Sequence, residues 1–318
     1  MGVYAITGAG GYIGQRLIKY LNSYDDCDSI LAIDVKPPTI NSEKTVYIER
    51  DVRDSGLAGL LGGYGVTCMI HLAFVVNPMH DEKKMYDINV NGTRNILKVC
   101  EELKIGHVIF ASSATAYGAY RDNPEFFKED APIRTYPPSF NYAHHKGINE
   151  GYFKEFMEKH PEVIFNIIRP SIVYGANVDN YLSRFFKLLP VGLLLDGNDP
   201  LFQFVHEDDV ARLLIRLVEK KVPGAFNVAP DGVIRYSEVL GMLGKRSISF
   251  PRWLAMPVAG LLWKLRYLEM PRGALDYTAF PWSVDNSRSK ELLDFEYQYD
   301  TVETLKLMFK THGYRMKA

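Results

Sequence analysis

The chain has 318 residues, 47% hydrophobic and 24% charged, with a formal net charge of -1. It is long enough to bury a full core as one large α/β domain or as one domain plus a smaller lobe. The interspersed, nearly balanced charge argues against a nucleic-acid-binding stripe or an anionic-membrane surface, and leaves a small-molecule ligand as the default partner.

Taken in chain order, short β-branched runs occur at Val3–Thr7, Ile30–Ile33, Val46–Ile48, Thr67–Ala73, His107–Ser112, Phe165–Arg169 and Ala225–Ala229. Most are separated by helix-length segments, among them Asn89–Glu102 and Asn141–Lys159, the latter stopped by His160-Pro161. This alternation predicts an α/β fold with a doubly wound parallel sheet. From Ala176 the pattern loosens into Gly- and Pro-rich joints, a strand-like Leu201–Val205 and a second helical region, Tyr236–Leu268. These predict a smaller carboxyl-terminal lobe over the sheet's carboxyl edge, where ligands of open α/β sheets bind. The expected division is 1–175 with 201–230 as the nucleotide-binding domain, and 176–200 with 231–318 as the substrate-binding lobe. The apolar stretch Trp253–Trp263 is interrupted by Pro257 and is too short to span a bilayer. It reads either as a buried helix of the lobe or as a membrane-surface contact.

Cys27, Cys68 and Cys100 lack metal-ligand spacing and fit a reducing compartment. With a first strand near Val3 there is no room for a signal peptide, and the expected location is cytoplasmic. Adjacent His144 and His145 point apart on a helix, so no metal is expected there. Glu207, Asp208 and Asp209 are expected to open a helix, where acids meet its N-terminal dipole.

The first strand breaks into glycines at Gly8, Gly11 and Gly14, followed by the helical pattern Ile13, Leu17, Ile18, Leu21. In that context Gly8 permits the turn, Gly11 the approach of a pyrophosphate, and Gly14 close packing of helix on strand. Asp34, twenty residues beyond Gly14, ends the second strand. An acid there accepts both ribose hydroxyls and repels a 2′-phosphate, selecting NAD over NADP; the alternative is a turn aspartate before Lys36. Asp51 and Val52 follow the third strand, placed either to take the adenine amino group and cover the ring or, for Asp51, to form an Asx turn.

Tyr142 and Lys146 lie four apart on a helix, hence on one face. The ammonium is expected to favour phenolate and make Tyr142 a usable general base near neutral pH. The serine-rich end of a strand, Ala111 to Gly118, is placed to hydrogen-bond the substrate oxygen as its proton leaves. A glycine turn, a serine and a Tyr–Lys pair in that order point to a nicotinamide redox enzyme rather than a dinucleotide-binding module without chemistry, the remaining alternative.

The ordered motifs TGAGGYIG (Thr7–Gly14), HLAF (His71–Phe74), NVNGT (Asn89–Thr93), SSATAYG (Ser112–Gly118), YAHHK (Tyr142–Lys146), RPSIVYG (Arg169–Gly175) and FVHEDDVA (Phe204–Ala211) cover nearly the whole chain. In them it resembles the extended short-chain dehydrogenase/reductases of the NAD-dependent epimerase/dehydratase family. The resemblance implies a Rossmann domain binding NAD, a substrate lobe and a homodimer. It implies Ser113 as donor to the substrate oxygen, Tyr142 as base and acid, and Lys146 as charge and nicotinamide-ribose ligand. Pro170 would border the nicotinamide, and Tyr12, Ile13, Leu72, Ala73 and Asn89 would join the cofactor site through their motifs. Ala114 and Thr115 lack the extra acid–base groups of the family's dehydratases, 3,5-epimerases and decarboxylating members. The motif therefore reads as closest to a UDP-hexose 4-epimerase. Ile172, where nucleotide-sugar members carry an asparagine, and Phe202-Gln203, where they carry an arginine, admit as the alternative an apolar alcohol or ketone, as in 3β-hydroxysteroid dehydrogenase-like or dihydroflavonol reductase-like members. Arg272 is a candidate diphosphate ligand or a solvated arginine.

Overall fold

Seven strands, the inner ones buried on both faces, form the centre of the computed structural model, which describes residues 2–40, 42–188 and 191–317. They are β1 (Gly2–Thr7), β2 (Cys27–Asp34), β3 (Thr45–Glu49), β4 (Cys68–His71), β5 (His107–Ala111), β6 (Ile164–Pro170) and β7 (Gly224–Val228). All pair in parallel, in the order β7-β6-β5-β4-β1-β2-β3. Each run expected from sequence is a strand here, shifted by a few residues at its ends. The order reverses between β1 and β4, and this switch point opens a crevice at their carboxyl ends.

Helix α1 (Tyr12–Asn22) follows β1, α2 (Gly92–Glu102) follows β4, and α3 (Asn141–Lys159) precedes β6. Helix α4 (Glu207–Lys220) precedes β7, and α5 (Arg252–Lys264) comes after it in the chain. Alternate residues of the strands divide between two layers. Ile6, Ile70 and Ile168 face Leu17 of α1 and Leu213 and Leu217 of α4. Ala5, Leu31 and Phe110 face Ile96 of α2 and Phe153 of α3. Glu207, Asp208 and Asp209 form the first turn of α4. The tail returns to the first layer through Leu293 and Phe295.

Three expected elements differ. The start of Asn89–Glu102 is a wide π-type turn, Asp87–Asn91, because the Asn89 carbonyl accepts bonds from Thr93 Oγ1 (2.8 Å) and Asn149 Nδ2 (2.9 Å). Leu201–Val205 divides at Gln203 into Leu201–Phe202, antiparallel to Ile234–Arg235, and Phe204–His206, parallel to Ile172–Tyr174. Gln203 bonds the Val284 backbone in both directions, which anchors the break. Tyr236–Leu268 is interrupted by the strand Ser247–Phe250, parallel to Gly192–Leu195, before Pro251 starts α5.

Nor is Trp253–Trp263 a buried helix. Only Ala255 and Ala259 of α5 are buried, while Trp253, Val258 and Leu261 are exposed. Ala255 and Ala259 let that face pack closely, while most of the large side chains point outward and Met256, Leu262 and Trp263 are half-buried. Among the described residues no helix is long and apolar enough to cross a membrane.

Candidate active site

At the switch point β1 ends on Thr7, and Gly8 turns the chain at φ +73°. A Cβ on Gly8 would lie 2.6 Å from Ala73 N, and one on Gly14 would lie 2.3 Å from Gly8 O. Glycine is thus required where the turn meets the loop after β4 and where α1 meets the turn. Gly11 precedes α1 without a side-chain cap, so the first amides of the helix, from Tyr12 and Ile13 onward, remain available to an anion. Asp34 reaches this turn: its Oδ2 accepts from Gly10 N (3.0 Å) and its Oδ1 from Lys36 N (3.1 Å). The two bonds hold the carboxylate rigid at the mouth of the crevice.

Other expected cofactor residues have different surroundings. Asp51 accepts from Arg53 N (2.9 Å), the Asx-turn geometry, and also pairs with the Arg53 guanidinium (2.7 Å). Arg53 in turn reaches Asp87 at 2.7 Å. Val52 is buried against Gly92, whose Cβ would come within 2.6 Å of it. Asn89 is fully buried, and its amide clamps Val75, accepting from the backbone N (2.7 Å) and donating to the O (3.2 Å). It therefore holds the loop that carries Leu72 and Ala73. Leu72 N donates to Thr7 O (3.0 Å), and its side chain lines a cavity with Tyr12, Ile13 and Pro170.

Ser113, Tyr142 and Lys146 line the same cavity. Ser113 caps a 3₁₀ turn, Ala114–Tyr117, with its Oγ accepting from both Thr115 N (3.2 Å) and Thr115 Oγ1 (3.0 Å). Both acceptor positions are thereby filled, leaving the Ser113 proton to donate into the cavity. The Tyr142 ring lies edge-on to Phe74 at 5.4 Å. Lys146 Nζ donates to Ala111 O (2.6 Å) and lies 3.6 Å from the centre of the Phe74 ring and 5.8 Å from that of Tyr142.

The electrostatics depart from the expected lysine-driven phenolate. Burial raises the Tyr142 phenol, and hydrogen bonding to Ser113 opposes this. Burial lowers the Lys146 ammonium from its ordinary 10.5 to about 7, with the Glu150 carboxylate acting in the other direction. The reason is desolvation by the apolar walls, which disfavours either charge. A linked stability effect follows. Between pH 7 and 10.5 the unfolded chain binds a proton at Lys146 that the folded protein sheds, so this group's contribution to stability rises with pH across that window. We expect the melting temperature of Lys146→Met, relative to the parent and without ligand, to be most elevated below pH 7 and to lose the advantage toward pH 10.5. Melts across that range check it, and a pH-independent difference would remove the buried-cation account.

The cavity measures about 1230 Å³ with its open mouth included. Beyond the Ser112, Ser113, Thr115 and Tyr142 end its wall is mainly apolar and aromatic, including Ile172, Phe185, Phe202, Met270 and Trp282, with Asn180 and Thr278 as polar side chains among them. Lys146 is the sole cation among the described residues that line it. Arg272 lies elsewhere, in a surface groove with Pro257, Gly260 and Trp263.

Some supporting residues were not singled out from sequence. Glu150 and Arg169 form a buried two-point pair at 2.9 Å for both bonds, linking α3 to the residue before Pro170. His71 bridges Thr7 Oγ1 (2.6 Å) and Thr93 Oγ1 (3.0 Å), and burial together with Lys146 holds its imidazole down to about 3, hence neutral. The fourfold spacing Tyr142, Lys146, Glu150 on one helix face was the signal that would have found Glu150.

A family model described as the NAD dependent epimerase/dehydratase family matches residues 4–229. An uncharacterized protein of Mycobacterium tuberculosis is 23% identical over 320 residues, covering 98% of this chain and 84% of the relative. A vaccinia virus 3 beta-hydroxysteroid dehydrogenase/Delta 5→4-isomerase is 30% identical over 201 residues, 59% of this chain and 56% of its own. In fold, the chain is similar to the UDP-glucose 4-epimerase of Thermotoga maritima (TM-score 0.73, 17% identity, 98% of both chains covered). It is also similar to the dTDP-glucose 4,6-dehydratase of Bacillus anthracis (TM-score 0.71, 15% identity, 98% and 97% covered).

Proposed function

Because the chain belongs to the NAD dependent epimerase/dehydratase family, we propose that it is an NAD-dependent oxidoreductase acting on an apolar secondary alcohol or the corresponding ketone. The observation that carries the reading is the cavity wall. Ile172 and Phe202 stand in it where a sugar diphosphate would need polar ligands, and its sole lining cation among the described residues donates to Ala111 O. A diphosphate buried there would lack a counter-charge, which disfavours it strongly. The vaccinia relative, named a hydroxysteroid dehydrogenase, supports the same substrate class.

The residues fit NAD. The glycine cradle tolerates no Cβ at Gly8 or Gly14, and Ser112 Oγ and Ser171 Oγ, both buried at the cavity, have no partner among the described residues. Gly8, Gly11, Gly14, Tyr12 and Ile13 would hold the pyrophosphate, Asp34 the adenosine ribose, and Leu72, Ala73, Lys146 and Pro170 the nicotinamide end. Bound NAD supplies the hydride acceptor for the carbinol carbon. Tyr142 takes the hydroxyl proton, Ser113 donates to the same oxygen, and Thr115 fixes Ser113 as that donor. The Ala111 carbonyl holds Lys146 beside Tyr142, and the aromatic wall excludes water. Asp51 and Val52 would take the adenine end, where the Arg53 guanidinium pairs with the Asp51 carboxylate.

Two measurements test this. Purified protein with NAD⁺ and a panel of apolar secondary alcohols, including hydroxysteroids, is expected to produce NADH in proportion to alcohol consumed. A nucleotide-sugar 4-epimerase is the second reading, favoured by the Ser113-Ala114-Thr115 sequence. It predicts interconversion of UDP-glucose and UDP-galactose with a trace of NAD⁺ and no net NADH, and that result would displace the first. For the cofactor, calorimetric titration is expected to show clear preference for NAD(H) over NADP(H), and Asp34→Ala to narrow the gap by removing a carboxylate that repels the 2′-phosphate. Equal affinities in the parent protein would sink the role given to Asp34.

A further inference from the structure

Helix α5 turns most of its large apolar side chains away from the protein. Trp253 is 75% exposed, Leu261 58%, Leu265 55%, and Tyr267, just past the helix end, 76%. Trp253, Pro257, Leu261 and Leu265 repeat every fourth residue with Leu254 and Val258 alongside, an arc of about 140° at 100° per residue. The opposite face, Ala255 and Ala259, is the buried one. This reverses the polarity of an ordinary surface helix, and a contiguous exposed apolar face of this kind marks a contact.

We propose that α5 docks the protein on an anionic lipid surface, lying in the headgroup region with Trp253, Leu261 and Leu265 inserted. Charge around the helix selects this occupant. From Arg246 to Leu268 the chain holds Arg246, Arg252, Lys264 and Arg266 and no Asp or Glu. Arg252 pairs with Asp276 (2.7 Å), while Lys264 and Arg266 are exposed at the carboxyl end of the apolar face. The first acid beyond, Glu269, is engaged by Arg184 at 2.9 Å. A second copy meeting this face about a two-fold axis would bring like charges together, whereas anionic headgroups neutralise them. The near-neutral net charge of the whole chain, which argued against an anionic surface, conceals this local excess. The buried side of α5 packs through Ala255 with Ala279 and Leu275, next to the segment whose Ala274, Tyr277 and Thr278 line the cavity. The proposal goes beyond the redox reading and stands without it.

The test uses the full chain in flotation with vesicles of phosphatidylcholine alone and with phosphatidylglycerol added. Binding to the mixed vesicles is expected, weaker by about thirtyfold without the anionic lipid, since each Lys or Arg near such a surface contributes a factor of about five. Trp253 emission should shift to the blue on binding, and Trp253→Phe should abolish most of the shift because Trp282 is buried and Trp263 stacks on His80. The double variant Leu261→Glu/Leu265→Glu should lose binding, with circular dichroism confirming its fold. Lys264→Glu/Arg266→Glu, which alters only exposed groups, should lose the anionic preference. Absence of vesicle binding overturns the proposal, as does binding unchanged in the Leu261→Glu/Leu265→Glu variant. A concentration-dependent dimer in sedimentation that the same variant dissociates, with no vesicle binding, overturns it in favour of a second copy.

Discussion

Tyr142→Phe is expected to lower turnover by about 10²–10⁴-fold, the range for loss of a positioned proton-transfer group, while leaving NAD affinity and melting temperature nearly unchanged. The ring is held by its edge contact with Phe74 at 5.4 Å and its tilted contact with Phe140 at 5.9 Å, and phenylalanine keeps both. Only the oxygen is lost, and with it the proton acceptor and the partner of Ser113. Burial raises the phenol, so the parent enzyme's rate should climb with pH on the alkaline side as phenolate forms. The variant should lose that limb, which a merely structural tyrosine would not produce. Lys146→Ala should weaken NAD binding as well as turnover, because the lysine is proposed to hold the nicotinamide end. A Tyr142→Phe protein that keeps most of its turnover, with the pH limb intact, would mean that the base lies elsewhere.

The sheet was legible because parallel strands buried on two faces must be apolar throughout. Val3–Thr7 and His107–Ser112 announce themselves without reference to anything distant. The glycine turn was legible for a similar reason, since the collision at Gly14 is with Gly8, six residues away. What depends on distant partners was not. Asp34 is readable by position, yet its bond to Gly10 N crosses 24 residues. Asp51 admitted two readings, and the structure shows the turn geometry together with an arginine pair that spacing alone does not disclose. The Tyr–Lys pair was legible as geometry but not as electrostatics, because the desolvation that lowers Lys146 to about 7 comes from walls contributed by other segments. For Trp253–Trp263, composition suggested burial. The separation of Ala255 and Ala259 from Trp253, Pro257 and Leu261 by helical phase held the contrary message.

Arg169→Met is expected to destabilise the protein by about 3–5 kcal/mol, the consequence of stranding a buried carboxylate. Glu150 is 5% exposed and sits on α3 one turn beyond Lys146, so it has no water to replace the guanidinium. Arg169 also donates to Tyr117 Oη (2.7 Å) and to the Glu129 carbonyl (2.9 Å), and Tyr117 passes the network on to Asn227 Oδ1 at 2.9 Å. One substitution therefore loosens α3, β6 and β7 together, at the point where Pro170 meets the cavity. Chemical denaturation of the single variant and of Arg169→Met/Glu150→Met separates the causes. If the unpaired charge dominates, the double variant should recover most of the loss, because an apolar pair of similar size removes the desolvation penalty along with the attraction. If the double variant is no more stable than the single, the bonds to Tyr117 and Glu129 carry the effect. Either way turnover should fall further than stability predicts, since α3 carries Tyr142 and Lys146 and the Arg169–Glu150 pair sets their distance from Pro170.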